Sequence, residues 1–121
     1  MPRRGRDARF DDQTRLRHML EAARQAISFL PGRSRVDLDT DHMLRRALKD
    51  CIPEIGEAAY HVTDEGRASV PDLPWEKMVG MRHILVHAYF ELDNDAIWKV
   101  ASTELEVLRD TLIEAMGDAD Q

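Results

Sequence analysis

Four side chains capable of chemistry lie close together near the end of the chain, in the stretch MRHILVHAY at positions 81–89. They are Arg82, His83, His87 and Tyr89, and apolar residues separate them. A histidine can take or give a proton at neutral pH, because its ordinary pKa is about 6.5. An arginine stays charged and presents a planar fork of donors that matches phosphate oxygens. Together these residue types indicate metal-free phosphoryl chemistry on RNA, whose 2′-hydroxyl supplies the nucleophile.

The RNA hypothesis gives a role to three of these residues. Arg82 binds the scissile phosphate and stabilises the extra negative charge of the transition state. His87 is the general acid or base, and Tyr89 bonds the phosphate or stacks on a base. His83 is left without a role at this point. A simpler interpretation stays open, in which the histidines are surface residues, Arg82 is an ion-pair partner and Tyr89 packs in the core.

A zinc site is the third interpretation of the stretch. His83 and His87 are four residues apart and share one face of a helix. Two ligands do not hold zinc, and His61 or His42 would have to supply a third. No acidic general base lies between the two histidines, as it does in the zinc-protease signature. We therefore predict no metal site.

The elements that must position this stretch are helices, since apolar residues recur at helical spacing along the chain. No segment alternates at period two, so no strand is predicted. The pattern predicts an all-α, antiparallel up-and-down bundle of four main helices plus a short helix. The main helices are expected roughly at Asp11 to Leu30, Thr40 to His61, Trp75 to Ala88 and Ser102 to Met116, and the short one at Asp95 to Val100.

Turn and capping residues mark where these helices stop. VTDEGRASVPDLPW at 62–75 is predicted to be a loop, and FELDND at 90–95 to interrupt the helical pattern. Thr103 and Glu106 predict a capping box at the start of the last helix, and Gly117 its end.

Helical geometry poses a problem for the proposed chemistry. Positions five apart on an α-helix diverge by roughly 140°, so Arg82 and His87 do not share a face. They converge only if the helix ends near His87, if Arg82 uses its reach, or if a second subunit completes the site. Gly56, in the second helix, lets another backbone approach closely, with a helix-weakening glycine that has no role as the alternative.

Length and composition indicate one globular domain. The chain has 121 residues, of which 43% are hydrophobic and 33% charged, a balance typical of folded rather than disordered proteins. We place the domain at residues 11–117, with a basic flexible tail at 1–10 and a short tail at 118–121.

The charge balance limits the nucleic-acid hypothesis without excluding it. A net charge of −6 argues against a broad nucleic-acid coat but permits a small basic site. Arg45, Arg46, Lys49 and Lys77 are candidates for positive charge near the stretch, with solvated helix-face charges as the alternative.

The single cysteine and the lack of a long apolar run bear on location. Cys51 lies in an apolar pattern and is predicted to be a core residue rather than a reactive thiol. A lone cysteine fits a reducing cytoplasm. No run approaches the length of about 18 apolar residues typical of a membrane span, and the N-terminus lacks the apolar core of a signal peptide. We expect a cytoplasmic protein without membrane association.

At the polar stretch the sequence resembles a known family. RHILVHAY fits the pattern R-x-x-x-x-H-x-Y of the HepT-like branch of the HEPN superfamily. IGEAA at 55–59, VPDLPWEKMVGMRHILVHAYFELDNDAIWKV at 70–100 and RHMLEAARQAISFL at 17–30 are similar to segments that this family places in the same order. The resemblance spans nearly the whole chain.

The resemblance implies a HEPN-like helical bundle that forms a homodimer, with the motif lining a cleft at the dimer interface. It further implies a metal-independent endoribonuclease that is the toxin of a two-gene toxin–antitoxin module. Arg82 and His87 are then catalytic, and RNA, such as tRNA or mRNA, is the substrate. The partner is an MntA-like minimal nucleotidyltransferase antitoxin, which silences the toxin by transferring AMP from ATP to Tyr89. The chain itself needs no cofactor, because only the partner uses ATP.

One residue departs from the family pattern. The residue after the motif arginine is often asparagine in the family, and here it is His83. A histidine can still bond phosphate or orient His87, so His83 is kept with Tyr89 as a residue that supports catalysis or binds RNA. The alternative function is a non-catalytic HEPN binding module that docks a nucleotidyltransferase or a nucleotide.

Overall fold

The computed structural model describes the backbone of residues 6–83 and 90–117 and the side chains of 11–83 and 93–117. Within these ranges the chain is all-helical, as predicted, and no strand is present. None of the helices in these ranges combines the length and apolarity that a membrane span requires. The elements in chain order are α1 (Arg6–Ser28), α2 (Asp37–Thr40), α3 (His42–Tyr60), α4 (Asp64–Ala68), α5 (Trp75–Gly80), a 3₁₀ turn (Met81–His83), α6 (Phe90–Lys99), a π segment (Val100–Glu104) and α7 (Leu105–Met116).

Four main helices, α1, α3, α6 and α7, pack around one apolar core, which confirms the predicted bundle class. Their inward faces carry the helical periodicity that the sequence displays. The fully buried side chains include Met19, Leu20, Ile52, Ile55, Ile97, Leu105, Leu108 and Leu112. Removing this apolar surface from water is the main source of stability, at roughly 25 cal/mol per Å². Trp98 packs against the same core.

The C-terminal half contains one continuous helical run rather than the predicted interruption. Residues 90–95 are helical, and α6 passes through the π segment into α7. The predicted capping box is wrong, because the Thr103 hydroxyl donates to the Lys99 carbonyl at 2.5 Å, and Ser102 donates to the Trp98 carbonyl at 2.6 Å. These hydroxyls bond back to the preceding turn and leave no helix start. Gly117 ends α7 with a φ of 64°, as predicted.

A polar network fastens the beginning of α6 to α2 and α3. Asn94 is completely buried, donates to Asp39 at 3.0 Å and accepts from Arg45 Nε at 2.5 Å. Arg35 bridges Asp39 and Asp95 at 2.9 and 2.5 Å. The oxygen and the nitrogen of the buried Asn94 amide therefore both have partners, which is why this residue can lie in the helix.

The segment predicted to be a loop before α5 contains the short helix α4. Thr63 caps it by accepting from Gly66 N at 3.0 Å. Buried Asp12 of α1 in turn accepts from Thr63 N at 2.9 Å and from its hydroxyl at 2.5 Å. The loop prediction is wrong here because a residue of α1, distant in sequence, stabilises the cap.

The helix predicted from Trp75 to Ala88 is also corrected. The α-helix ends at Gly80 and continues as a 3₁₀ turn over Met81–His83. Glycine weakens an α-helix, and 3₁₀ turns are common where α-helices end. The rest of the predicted helix, at 84–88, lies outside the described residues.

Cys51 is a buried core residue, as predicted. Burial, with smaller contributions from Glu54 and Asp50, raises the pKa of its thiol to about 11. At about pH 8 roughly one thiol in a thousand is then ionised, and only the thiolate reacts readily. We expect the folded protein to resist a thiol reagent such as iodoacetamide and to react at once in guanidinium chloride. Rapid labelling of the folded chain, followed by mass spectrometry, would contradict this.

Candidate functional site

Arg82 lies in the 3₁₀ turn, where the backbone passes directly over α3 at Gly56. A Cβ atom on Gly56 would overlap the backbone nitrogen of Arg82, and it would lie 2.8 Å from Arg82 Cγ and 2.9 Å from the Met81 carbonyl carbon. Only a glycine permits this approach. The prediction that Gly56 admits a second backbone is confirmed, and the backbone it admits carries the motif arginine.

The guanidinium of Arg82 is held on two sides by α3. Its Nε donates to Glu57 Oε1 at 3.1 Å, and its Cζ lies 3.8 Å from the centroid of the Tyr60 ring. The side chain remains 27% exposed. Among the described residues, Nη1 and Nη2 have no hydrogen-bond partner. The fork is therefore oriented in advance, with the two nitrogens that bind phosphate left open.

The second carboxylate oxygen of Glu57 contacts a histidine. His61 Nε2 lies 3.1 Å from Glu57 Oε2, and the Tyr60 ring meets the His61 ring edge-on at a centroid distance of 5.1 Å. The hydrogen bond with His61, and then the charge of Arg82, hold the pKa of the Glu57 carboxyl below its ordinary value. Glu57 is consequently ionised throughout the neutral range, and it loses both interactions only as the pH falls through that lowered pKa.

A cleft runs along α1 and α3 beside this cluster. Its volume is about 380 Å³, and it is lined by Arg15, His18, Glu54, Glu57, Ala58 and His61. Its walls therefore carry two carboxylates, one arginine and two histidines.

The other predicted site residues divide into two groups. His83 is exposed at the end of the 3₁₀ turn. His87 and Tyr89 lie outside the described residues. The convergence of Arg82 with His87 is thus still a prediction. The 140° argument assumed an α-helix at Arg82, and the structure has a 3₁₀ turn over Met81–His83 instead.

Sequence reasoning missed Glu57 and Tyr60 of this cluster and named His61 only as a possible third zinc ligand. Two signals pointed to Glu57 and His61. Glu57 belongs to the IGEAA block that resembles the family, and Glu57 and His61 have the four-residue spacing of a helical pair. Neither signal indicates contact with Arg82.

The candidate basic residues contribute unequally. Arg45 is bonded to α6, and Lys77 lies 3.6 Å from Glu104, so both have anionic or polar partners. Arg46 and Lys49 line a shallow depression on α3. The latter pair stays a candidate source of positive potential.

The zinc interpretation stays untested as a whole, because His87, one of its two histidines, lies outside the described residues. Residues 11–83 and 93–117 contain no group of three side chains suited to hold a metal ion.

Comparison with known proteins provides an independent line of inference. Residues 19–115 match the family model described as Ribonuclease HepT-like, which covers most of the chain. This range includes both the cluster around Arg82 and the motif stretch.

Individual relatives agree with the family match. The chain is 31% identical to "Putative RNase MJ1380" of Methanocaldococcus jannaschii over 75% of this chain and 84% of that protein. It is 31% identical to "Putative RNase TTE0752" of Caldanaerobacter subterraneus over 84% of this chain and 90% of that protein. It is 34% identical to "Probable ribonuclease HepT" of Thermococcus cleftensis over 60% and 66%, respectively. No solved structure matches the chain.

Proposed function

The chain belongs to the HepT-like ribonuclease family, and we propose that it is a metal-independent endoribonuclease, the toxin of a two-gene toxin–antitoxin module. The observation that carries the proposal is the state of Arg82. Its guanidinium is held by Glu57 and Tyr60, while Nη1 and Nη2 have no hydrogen-bond partner among the described residues. This arrangement orients the guanidinium and leaves it donors that can meet a phosphate.

The proposed reaction is an internal transphosphorylation of RNA. Arg82 binds a phosphate oxygen and stabilises the pentacoordinate transition state. His87 exchanges a proton with the reacting oxygens, and Tyr89 supports the phosphate or stacks on a base. The 2′-oxygen attacks phosphorus, the bond to the 5′-oxygen breaks, and the products carry a 2′,3′-cyclic phosphate and a 5′-hydroxyl. His83 is proposed to bond phosphate or to orient His87.

We propose that the enzyme works as a homodimer and is regulated by an MntA-like nucleotidyltransferase. Two copies of the motif around one groove would double the positive charge near the substrate, which favours RNA binding by an otherwise acidic protein. Transfer of AMP to Tyr89 would place a bulky anion beside the catalytic groups and block the phosphate site by size and charge. ATP is consumed by the partner in that step.

The test is cleavage of total RNA and of tRNA in EDTA by the purified protein. We expect the wild type to cut and His87→Ala to be at least about 100-fold slower, because a general acid–base group contributes that much. His42→Asn, at the far end of α3, serves as the control and should cut normally. Intact RNA with wild-type protein that carries no AMP would contradict the proposal and favour the binding module.

A further inference from the structure

We propose that His61 is a second proton-transfer residue of RNA cleavage, held beside Arg82 by the carboxylate of Glu57. The inference rests on the proposed function, since it completes that reaction. It arises from one juxtaposition: a single carboxylate binds the motif arginine through one oxygen and a histidine through the other, each at 3.1 Å.

The reaction needs two proton transfers, and two imidazoles can divide the transfers between them. One proton must leave the 2′-hydroxyl, and another must reach the 5′-oxygen as its bond to phosphorus breaks. Arg82 stays protonated at neutral pH, and a tyrosine has an ordinary pKa of about 10. A second imidazole near the phosphate is a suitable partner for His87, and His83 and His61 are the two histidines beside Arg82. Of these two, His61 contacts the carboxylate that also binds Arg82, so His61 is the better placed.

His61 has the position this partner requires. Because Arg82 and His61 contact the two oxygens of one carboxylate, we expect a phosphate bound by Arg82 Nη1 or Nη2 to come within reach of the His61 ring. Glu57 is ionised and accepts the Nε2 hydrogen, so Nδ1 is the atom left to exchange a proton. Among the described residues, Nδ1 has no hydrogen-bond partner.

The ring is both accessible and restrained. The side chain of His61 is 46% exposed and lines the cleft between α1 and α3. The Tyr60 ring packs against it edge-on and limits its rotation. The charged and titratable groups around it are Glu54, Glu57 and Tyr60 of α3, Arg15 and His18 of α1, and Arg82 of the 3₁₀ turn.

Each proton in the proposed reaction has a donor and an acceptor. His87 takes the proton of the 2′-hydroxyl as the 2′-oxygen bonds to phosphorus. His61, protonated at both nitrogens, gives its Nδ1 proton to the departing 5′-oxygen. Glu57 keeps the ring oriented and is a positioning residue, because it contacts the two catalytic side chains rather than the reacting atoms.

The first experiment measures single-turnover cleavage by His61→Asn, Glu57→Gln and the control His42→Asn, from about pH 5 to about pH 9, on either side of the ordinary histidine pKa. We expect His61→Asn to be at least about 100-fold slower. It should also lose the fall in rate at high pH that reports a general acid. Glu57→Gln should cleave about 10-fold more slowly than the wild type and should keep the fall in rate at high pH. A His61→Asn variant with the wild-type rate and pH profile would overturn the inference.

A second experiment separates the acid from a structural role. An RNA with a bridging sulfur at the 5′ position releases a thiolate, which needs no proton. We expect this substrate to restore most of the rate of His61→Asn but not that of His87→Ala. If His61→Asn stays slow, the residue is structural and the inference fails, whereas the proposed function stands. If the wild type cuts neither substrate, both fail.

Discussion

Replacing Arg82 by alanine is expected to slow RNA cleavage by at least about 100-fold, the loss typical of a group that stabilises transition-state charge. Stability should change little. The ion pair with Glu57 is largely exposed, and exposed ion pairs contribute little to stability. The stacking on Tyr60 adds about 0.5–1 kcal/mol at an exposed position. Cleavage kinetics and denaturant unfolding measure the two effects separately.

Two further variants define what Arg82 contributes. Arg82→Lys keeps the charge but loses the planar fork and the Nε bond, so we expect it to recover only a small part of the activity. Lys77→Ala removes a nearby cation that is paired with Glu104, and it should cut RNA at the wild-type rate. Full activity of Arg82→Ala would refute the assignment of this residue. Loss of activity together with unfolding would point to a structural role.

Replacing Gly56 by alanine is expected to lower the free energy of unfolding by about 1–3 kcal/mol and to reduce cleavage. Two effects oppose each other here. Alanine favours the interior of a helix by up to about 1 kcal/mol over glycine. The new methyl group, however, would overlap backbone atoms of Arg82 and Met81, which cannot rotate away as a side chain does. The overlap therefore dominates, and the 3₁₀ turn must move off α3.

Gly80 provides the matched control for this substitution. A Cβ there meets nothing within 4 Å, so Gly80→Ala should be neutral or slightly stabilising. Thermal or denaturant unfolding of both variants, with cleavage rates beside them, makes the comparison. A Gly56→Ala variant as stable and as active as Gly80→Ala would show that the close approach of the two backbones is dispensable.

The helical class and the core could be predicted from the sequence because both depend on local periodicity. Apolar residues at 3.6-residue spacing define α1, α3 and α7. Gly117 ends the last helix through its own backbone conformation, which needs no tertiary contact. The predictions of secondary structure were wrong where contacts with residues distant in sequence determine the local structure. Asn94 enters α6 because Asp39 and Arg45 satisfy its amide, and these partners are about 50 residues away in sequence. No local pattern contains that information.

The candidate site divides in the same way. Residue type alone selects Arg82, His83, His87 and Tyr89, since their chemistry is a property of the side chains.

Only the tertiary structure decided which groups stand beside Arg82. Glu57 is 25 residues away in sequence, and it reaches the guanidinium because Gly56 lets two backbones touch. The chemistry of a side chain is set by its residue type, which the sequence gives directly. Its electrostatic environment is set by the segments that pack against it in the folded structure.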